Sequence, residues 1–266
     1  MIESLKKTFA AAKDNLGFLA VCLGVFAGLF LIAFVFERLF VKDRRRFSDT
    51  RYITYVALFS AMAGLLMLLE VPLVFLAPGF YKMDLSELPV MICTFYLGPV
   101  AGVVSELLKV GLKLVLKGTS TAFVGDFANF TVGCAFVLPA SMVYLIKRGK
   151  RSALLGLVTG TIVMTVFGSM FNALFLIPKF AQLFHMELGA IVAMGTEVNR
   201  RIVDVPTLVL YAVAPFNLLK GIVVSLLTFL LYKRISPILH MGDGRKKAAK
   251  SVKNEKNEAA EEKAEA

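Results

Sequence analysis

Long uncharged apolar runs alternate along this chain with short breaks that are basic or marked by glycine and proline, and the run lengths predict helices. Residues 16–36 carry no charge, enough to cross a hydrocarbon core of about 30 Å at about 1.5 Å per residue. The run is too long for the apolar region of a signal peptide, and Glu37-Arg38 with the basic residues 42–46 reads as a stop-transfer flank. Residues 52–69 predict a second span, with Ser48 or Asp49 as its N-cap. The stretch 71–80 is apolar but broken by Pro72, Pro78 and Gly79, unlike a solvated loop. Residues 88–97 form a short apolar segment, Gly98-Pro99 a turn, and residues 100–117 a helix ended by Gly118. Residues 127–146 and 152–178 predict two further spans, the second long enough to tilt. Residues 179–204 read as a lid or surface helix, and Pro215 is expected to open a last span reaching Tyr232.

Composition moves the reading the same way. The chain is 58% hydrophobic and 18% charged, with a mean hydropathy of +0.74, which points away from a water-soluble domain. The net charge of +11 is gathered into clusters at the ends of spans, a membrane-orientation pattern rather than a nucleic-acid footprint. Residues 42–51, 147–151 and 233–250 hold these clusters, and an even number of crossings between them puts all three in the cytoplasm. The fold class expected is an all-α polytopic membrane protein with a cytoplasmic C-terminus. Residues 1–47 form an extra N-terminal transmembrane helix and basic linker, 48–240 the membrane domain, and 241–266 a disordered charged tail. The 72–87 loop, the turn at 118–126 and the 179–204 segment then face outward.

Several chemistries are absent by motif. No P-loop, GxSxG or GxGxxG occurs, and His185 and His240 are the only histidines, without HExxH. No metal, cofactor or catalytic residue is therefore expected. Cys22, Cys93 and Cys134 lie far apart inside apolar runs and predict no disulfide framework.

The polar residues inside the spans carry the remaining information, because each is expensive in lipid. Lys220 costs roughly 2.5–3.5 kcal/mol at mid-helix, and Asn217, Lys220 and Ser225 fall near one helix face. They read as the polar side of a solute pocket; the bland alternatives are a structural ion pair or a lysine snorkelling to the surface. Asn172 and Asn129 lie, like Asn217, in the outer halves of their spans, and with nearby Phe rings they suit a flat heteroaromatic solute. Glu106, Lys109 and Lys113 share a face and read as an ion pair turned into the bundle. Ala57-x-x-x-Ala61, overlapped by Ser60-x-x-x-Gly64, allows close helix approach, either within the bundle or against another membrane protein.

Four stretches resemble the substrate-binding membrane subunits (S components) of energy-coupling factor vitamin transporters, above all the riboflavin-specific ones. They are Phe80-Tyr81-Lys82-Met83-Asp84-Leu85-Ser86-Glu87-Leu88-Pro89, Leu97-Gly98-Pro99-Val100-Ala101-Gly102 with Glu106 to Lys109, Gly125-Asp126-Phe127-Ala128-Asn129-Phe130, and Ala214-Pro215-Phe216-Asn217-Leu218-Leu219-Lys220-Gly221. The resemblance implies a six-helix core in a bacterial cell membrane that binds riboflavin from outside. By it, Asn217, Lys220 and Asn172 would hydrogen-bond the ligand, with Asn129 beside them, and Gly79-Phe80 would belong to a closing loop. Ala57 and Ala61 would dock a transmembrane coupling (T) subunit, and two ABC-type ATPases would supply the energy. The helix at residues 16–40 is extra to that core, and Leu85 stands where the family pattern has Phe. The competing readings are an S component for another flavin or heteroaromatic vitamin or precursor, and a stand-alone proton-coupled transporter using Glu106 or Asp126.

Overall fold

The computed structural model describes residues 16–40 and 49–231. The basic residues 42–46 and 233–250, His240 and the expected tail 241–266 lie outside them. Two compact units divide the chain, Met1–Thr228 and Phe229–Ala266, and every side chain of the site belongs to the first. The described residues fold into helices α1 (Leu16–Phe40), α2 (Thr50–Leu68), α3 (Glu87–Leu97), α4 (Pro99–Leu116), α5 (Val124–Ile146), α6 (Lys150–Leu183), α7 (Leu188–Val198) and α8 (Val205–Leu231). This is an all-α membrane protein: α1, α2, α5, α6 and α8 are each long and apolar enough to cross a bilayer. The expected core segments correspond to α2, α3, α4, α5, α6 and α8, and the extra one to α1.

Local chemistry explains most of the boundaries. Asp49 caps α2, its carboxylate accepting from the Arg51 N–H at 3.1 Å. Gly118, at φ +77°, follows the end of α4 and donates to the Leu114 carbonyl. The 71–86 connection is more ordered than its composition predicts. Val71–Pro72 pairs antiparallel with Lys82–Met83, making a short hairpin. Its buried Ala77 and Tyr81 share a cluster with Ile177 of α6, Ile191 of α7, and Leu208 and Phe216 of α8. The loop is apolar because it is packed as a roof.

The inward path of this loop also accounts for α3. Its 11 residues rise only about 16 Å, well short of about 30 Å of hydrocarbon. The buried Asp84 and Ser86 lead directly into its first turn, so the chain enters the helix from inside the protein.

The last span starts earlier than expected. Asp204 caps α8 in a reciprocal capping box with Thr207, Pro206 sits in the first turn, and Pro215 lies inside the helix. A π-turn at Val209–Val213 accommodates it: Ala214 N–H donates to the Val209 carbonyl, five residues back. A proline ring collides with the carbonyl four residues before it, and here that residue, Tyr211, lies in the widened turn. Pro178 is handled identically, with Leu174 inside the π-turn Asn172–Leu176. As a result α6 runs on to Leu183, and only α7 stands as a separate helix in the 179–204 segment.

Helices α5 and α6 pack at backbone distance. A Cβ added to Gly156 would collide with the Ala140 carbonyl oxygen, and one on Gly160 would stand 2.6 Å from that of Phe136. In lipid, where apolar side chains gain little by leaving their surroundings, such contacts carry helix association. Gly160→Val is therefore expected to destabilise the protein by about 1–3 kcal/mol. Gly189→Ala, whose added Cβ meets nothing within 4 Å, should leave stability nearly unchanged. Thermal unfolding of the two purified variants in the same detergent checks both.

Candidate functional site

The two π-turns do more than absorb prolines. Asn172 is the first residue of one, and Asn217 follows Pro215 by two positions after the other. Gly168, one turn before Asn172, makes room for its partner helix: a Cβ there would fall 2.7 Å from Asn217 Nδ2. Both amides are buried, and both line a cavity of about 660 Å³. Asn129 of α5 and Lys220 of α8 line it as well, beneath Phe80, Tyr81, Phe180 and Phe216. The size suits a small organic solute.

At the floor of this cavity lies a network of five ionisable side chains. Lys220 Nζ is 3.2 Å from Asp84 Oδ2 and 3.7 Å from Glu87 Oε1. Lys109 Nζ is 2.9 Å from Glu87 Oε1 and 2.5 Å from Glu106 Oε2. Nearby, Lys113 pairs with Asp126 at 2.5 Å, and Asp126 also accepts from the Thr119 hydroxyl. Removing one member of such a buried pair leaves an uncompensated charge, at a cost of about 3–5 kcal/mol. Lys220 stands roughly 22 Å along α8 from its start, out of reach of snorkelling. It is at once an ion-pair partner and a cavity wall, with a donor to spare beyond Asp84.

The roof is fastened by hydrogen bonds. Tyr81 donates its hydroxyl to Asn172 Oδ1 at 2.8 Å, while Asn172 Nδ2 donates to the Gly168 carbonyl at 2.7 Å. Burial raises the Tyr81 phenol above its ordinary pKa, which keeps it a donor. At the rim, Glu70 accepts from Lys82 at 2.8 Å and from Lys117 at 2.5 Å, tying the hairpin to the end of α4. Burial pushes the Glu70 carboxyl up, but the two lysine hydrogen bonds outweigh it and hold the group below its usual range.

The cavity thus brings together Asn217, Lys220, Asn172, Asn129 and Phe80. Gly79 is exposed on the roof and outside the lining. Ser225 does not join them; its hydroxyl lies 3.0 Å from that of Thr161, linking α8 to α6. The overlapping small-residue stripe on α2 splits by face. Ser60 and Gly64 are buried, with Leu112 of α4 filling the space where a Gly64 side chain would stand, whereas Ala57 and Ala61 are exposed. Sequence reasoning assigned no role to Asp84, Glu87 or Tyr81. Their signal was present: two carboxylates and a phenol in a loop otherwise too apolar for water.

Two buried amide atoms of the cavity wall are without a hydrogen-bonding partner among the described residues, Asn129 Oδ1 and Asn217 Nδ2, one an acceptor and the other a donor. A bound molecule offering the complementary pair would satisfy both.

Comparison with known proteins agrees with this geometry. Residues 51–232 match the family described as ECF transporter, substrate-specific component. The chain is 35% identical over 191 residues to the riboflavin transporter RibU of Staphylococcus aureus, covering 72% of this chain and 93% of that protein. It is 28% identical over 186 residues to the riboflavin transporter FmnP of Bacillus subtilis, covering 70% and 92%. A solved structure described as the S component of a bacterial ECF transporter superposes with a TM-score of 0.56 at 32% identity, over 72% of this chain and 99% of that one. With a family match across most of its length and a cavity built from the matched helices, this chain belongs to the substrate-specific components of the ECF transporters.

Proposed function

We propose that this protein captures riboflavin at the outer face of a bacterial cell membrane and passes it inward. It does so in complex with a transmembrane coupling subunit and two ABC-type ATPases. The observation that carries the reading is the pair of unpartnered atoms, Asn129 Oδ1 and Asn217 Nδ2, in a cavity edged by aromatic rings. The pyrimidine edge of a flavin alternates carbonyl acceptors with an N–H donor, so it meets an amide oxygen and an amide nitrogen together. Its tricyclic ring suits Phe80, Tyr81, Phe180 and Phe216, and its ribityl hydroxyls suit the remaining lysine donor of Lys220. Riboflavin is neutral and adds no charge to the ion network below it. In this reading Asn172 holds Tyr81, and Gly79-Phe80 form part of the loop that closes over the ligand. The named transporter relatives, at 28–35% identity, support the same substrate.

Lys82, Lys113 and Lys117 line the mouth and favour one second reading, a flavin carrying a phosphate on its side chain. The orientation has 147–151, between α5 and α6, in the cytoplasm, with the C-terminus on the same side. The exposed Ala57 and Ala61 face of α2 is the docking surface for the coupling subunit, while the buried Ser60 and Gly64 serve the bundle.

Purified protein should carry or take up riboflavin, seen as its visible absorbance and as quenching of its fluorescence; a protein indifferent to it refutes the assignment. Competition with flavin mononucleotide separates the two ligands. Asn217→Ala and Asn129→Ala should each weaken binding by about 1–3 kcal/mol, read by the same titration. Lys220→Met alone strands Asp84, so its effect on binding is read in the double variant with Asp84→Asn. For docking, Ala57→Trp should abolish uptake in cells while leaving riboflavin affinity of the purified subunit unchanged.

A further inference from the structure

Helix α1 lies outside the family match, which begins at residue 51, yet it is not a loose appendage. Its Ala33 is fully buried in a cluster with Met67 of α2, Val100 and Val103 of α4, and Phe130 and Cys134 of α5. Two ends of α1, about 28 Å apart, make specific contacts.

At one end Glu37 reaches the start of α4. That start is poorly supplied by its own sequence. Gly98 occupies the N-cap position without a side chain to offer, and Pro99 has no N–H. The first free donor is the Val100 N–H, which donates to Glu37 Oε2 at 3.3 Å. Gly98 has φ +112°, and a Cβ there would fall 2.9 Å from the same carboxylate oxygen, so Glu37 sits where an N-cap side chain would be. Its negative charge meets the positive end of the helix dipole, and only 6% of the residue is exposed. Helix α4 is the one that carries Glu106, Lys109 and Lys113 to the cavity floor and wall.

At the other end Phe18 packs edge-on against Phe127 of α5, with centroids 5.6 Å apart, and stacks on Phe175 at 6.2 Å. Phe175 belongs to the π-turn that begins with Asn172, and Phe127 lies between Asp126 and Asn129.

We propose that α1 is a positioning element of the substrate site: Glu37 supplies the missing cap of α4, Phe18 braces the Asn172 π-turn and the Asn129 turn, and substrate affinity depends on both. The proposal uses riboflavin as its probe and to that extent rests on the function proposed above. The test uses the full chain in detergent. Glu37→Leu should weaken riboflavin binding about five-fold, the loss of one cap, through faster release. Glu37→Gln, whose amide oxygen still accepts from Val100, should recover most of that loss. Phe18→Ala should weaken binding in the same direction, while Leu23→Ala, at a position 67% exposed, should not. Hydrogen exchange at Val100 and across Asn172–Leu176 should quicken in Glu37→Leu and Phe18→Ala respectively.

Monodisperse Glu37→Leu and Phe18→Ala proteins with wild-type affinity and unchanged exchange overturn the proposal. Should Glu37→Leu fail to fold, Phe18→Ala and Glu37→Gln decide. A wild-type protein that ignores riboflavin refutes the proposed substrate instead, and the exchange measurement alone then tests α1.

Discussion

A charge held away from water has to be answered by another, and much of this structure is a response to that requirement. Asp84, Glu87, Glu106, Lys109 and Lys220 come from the outer loop, α3, α4 and α8, and none is more than a tenth exposed. For Asp84 to reach Lys220, the loop after α2 has to turn inward instead of passing over the surface. That turn makes α3 short, buries Ala77 and Tyr81, and gives the cavity its roof. The cavity and its floor are thus two results of one electrostatic demand.

The amides are placed by a different device. A proline inside a helix removes a hydrogen bond and crowds the preceding turn, and in both α6 and α8 a π-turn takes up the disturbance. The extra residue in each turn rotates the remainder of the helix, and the cavity amides Asn172 and Asn217 sit at these two irregular places. Regular helices would put the same residues on other faces. The irregularity is where the recognition chemistry lies, as is common for π-turns.

The helices themselves were legible, because uncharged runs of sufficient length in lipid have few alternatives. So were the polar residues of the cavity, since Asn217 and Lys220 are conspicuous in an apolar span. The start of α8 was not: Pro215 carries a strong first-turn preference, and only the π-turn before it, which no local pattern announces, lets the helix begin ten residues earlier. The partner of Lys220 was equally hidden. Asp84 is 136 residues away in sequence, and nothing in either neighbourhood links them. Ser225 shows the opposite error, where helical spacing gathered residues that tertiary packing separates. The two faces of α2 needed the structure too, because alternating small residues look alike until Leu112 is seen against Gly64.

The backbone contact between α5 and α6 bears on how such a protein can move. Carbonyl oxygens of Phe136 and Ala140 lie against Gly160 and Gly156 with no side chains between them, and sliding either helix by a turn would drive bulkier residues into that seam. The pair therefore behaves as one stiff slab. Entry and exit of a solute have to be worked from the other side, by the hairpin and the residues that fasten it. Asn129, on the slab, then keeps a fixed address while its surroundings rearrange.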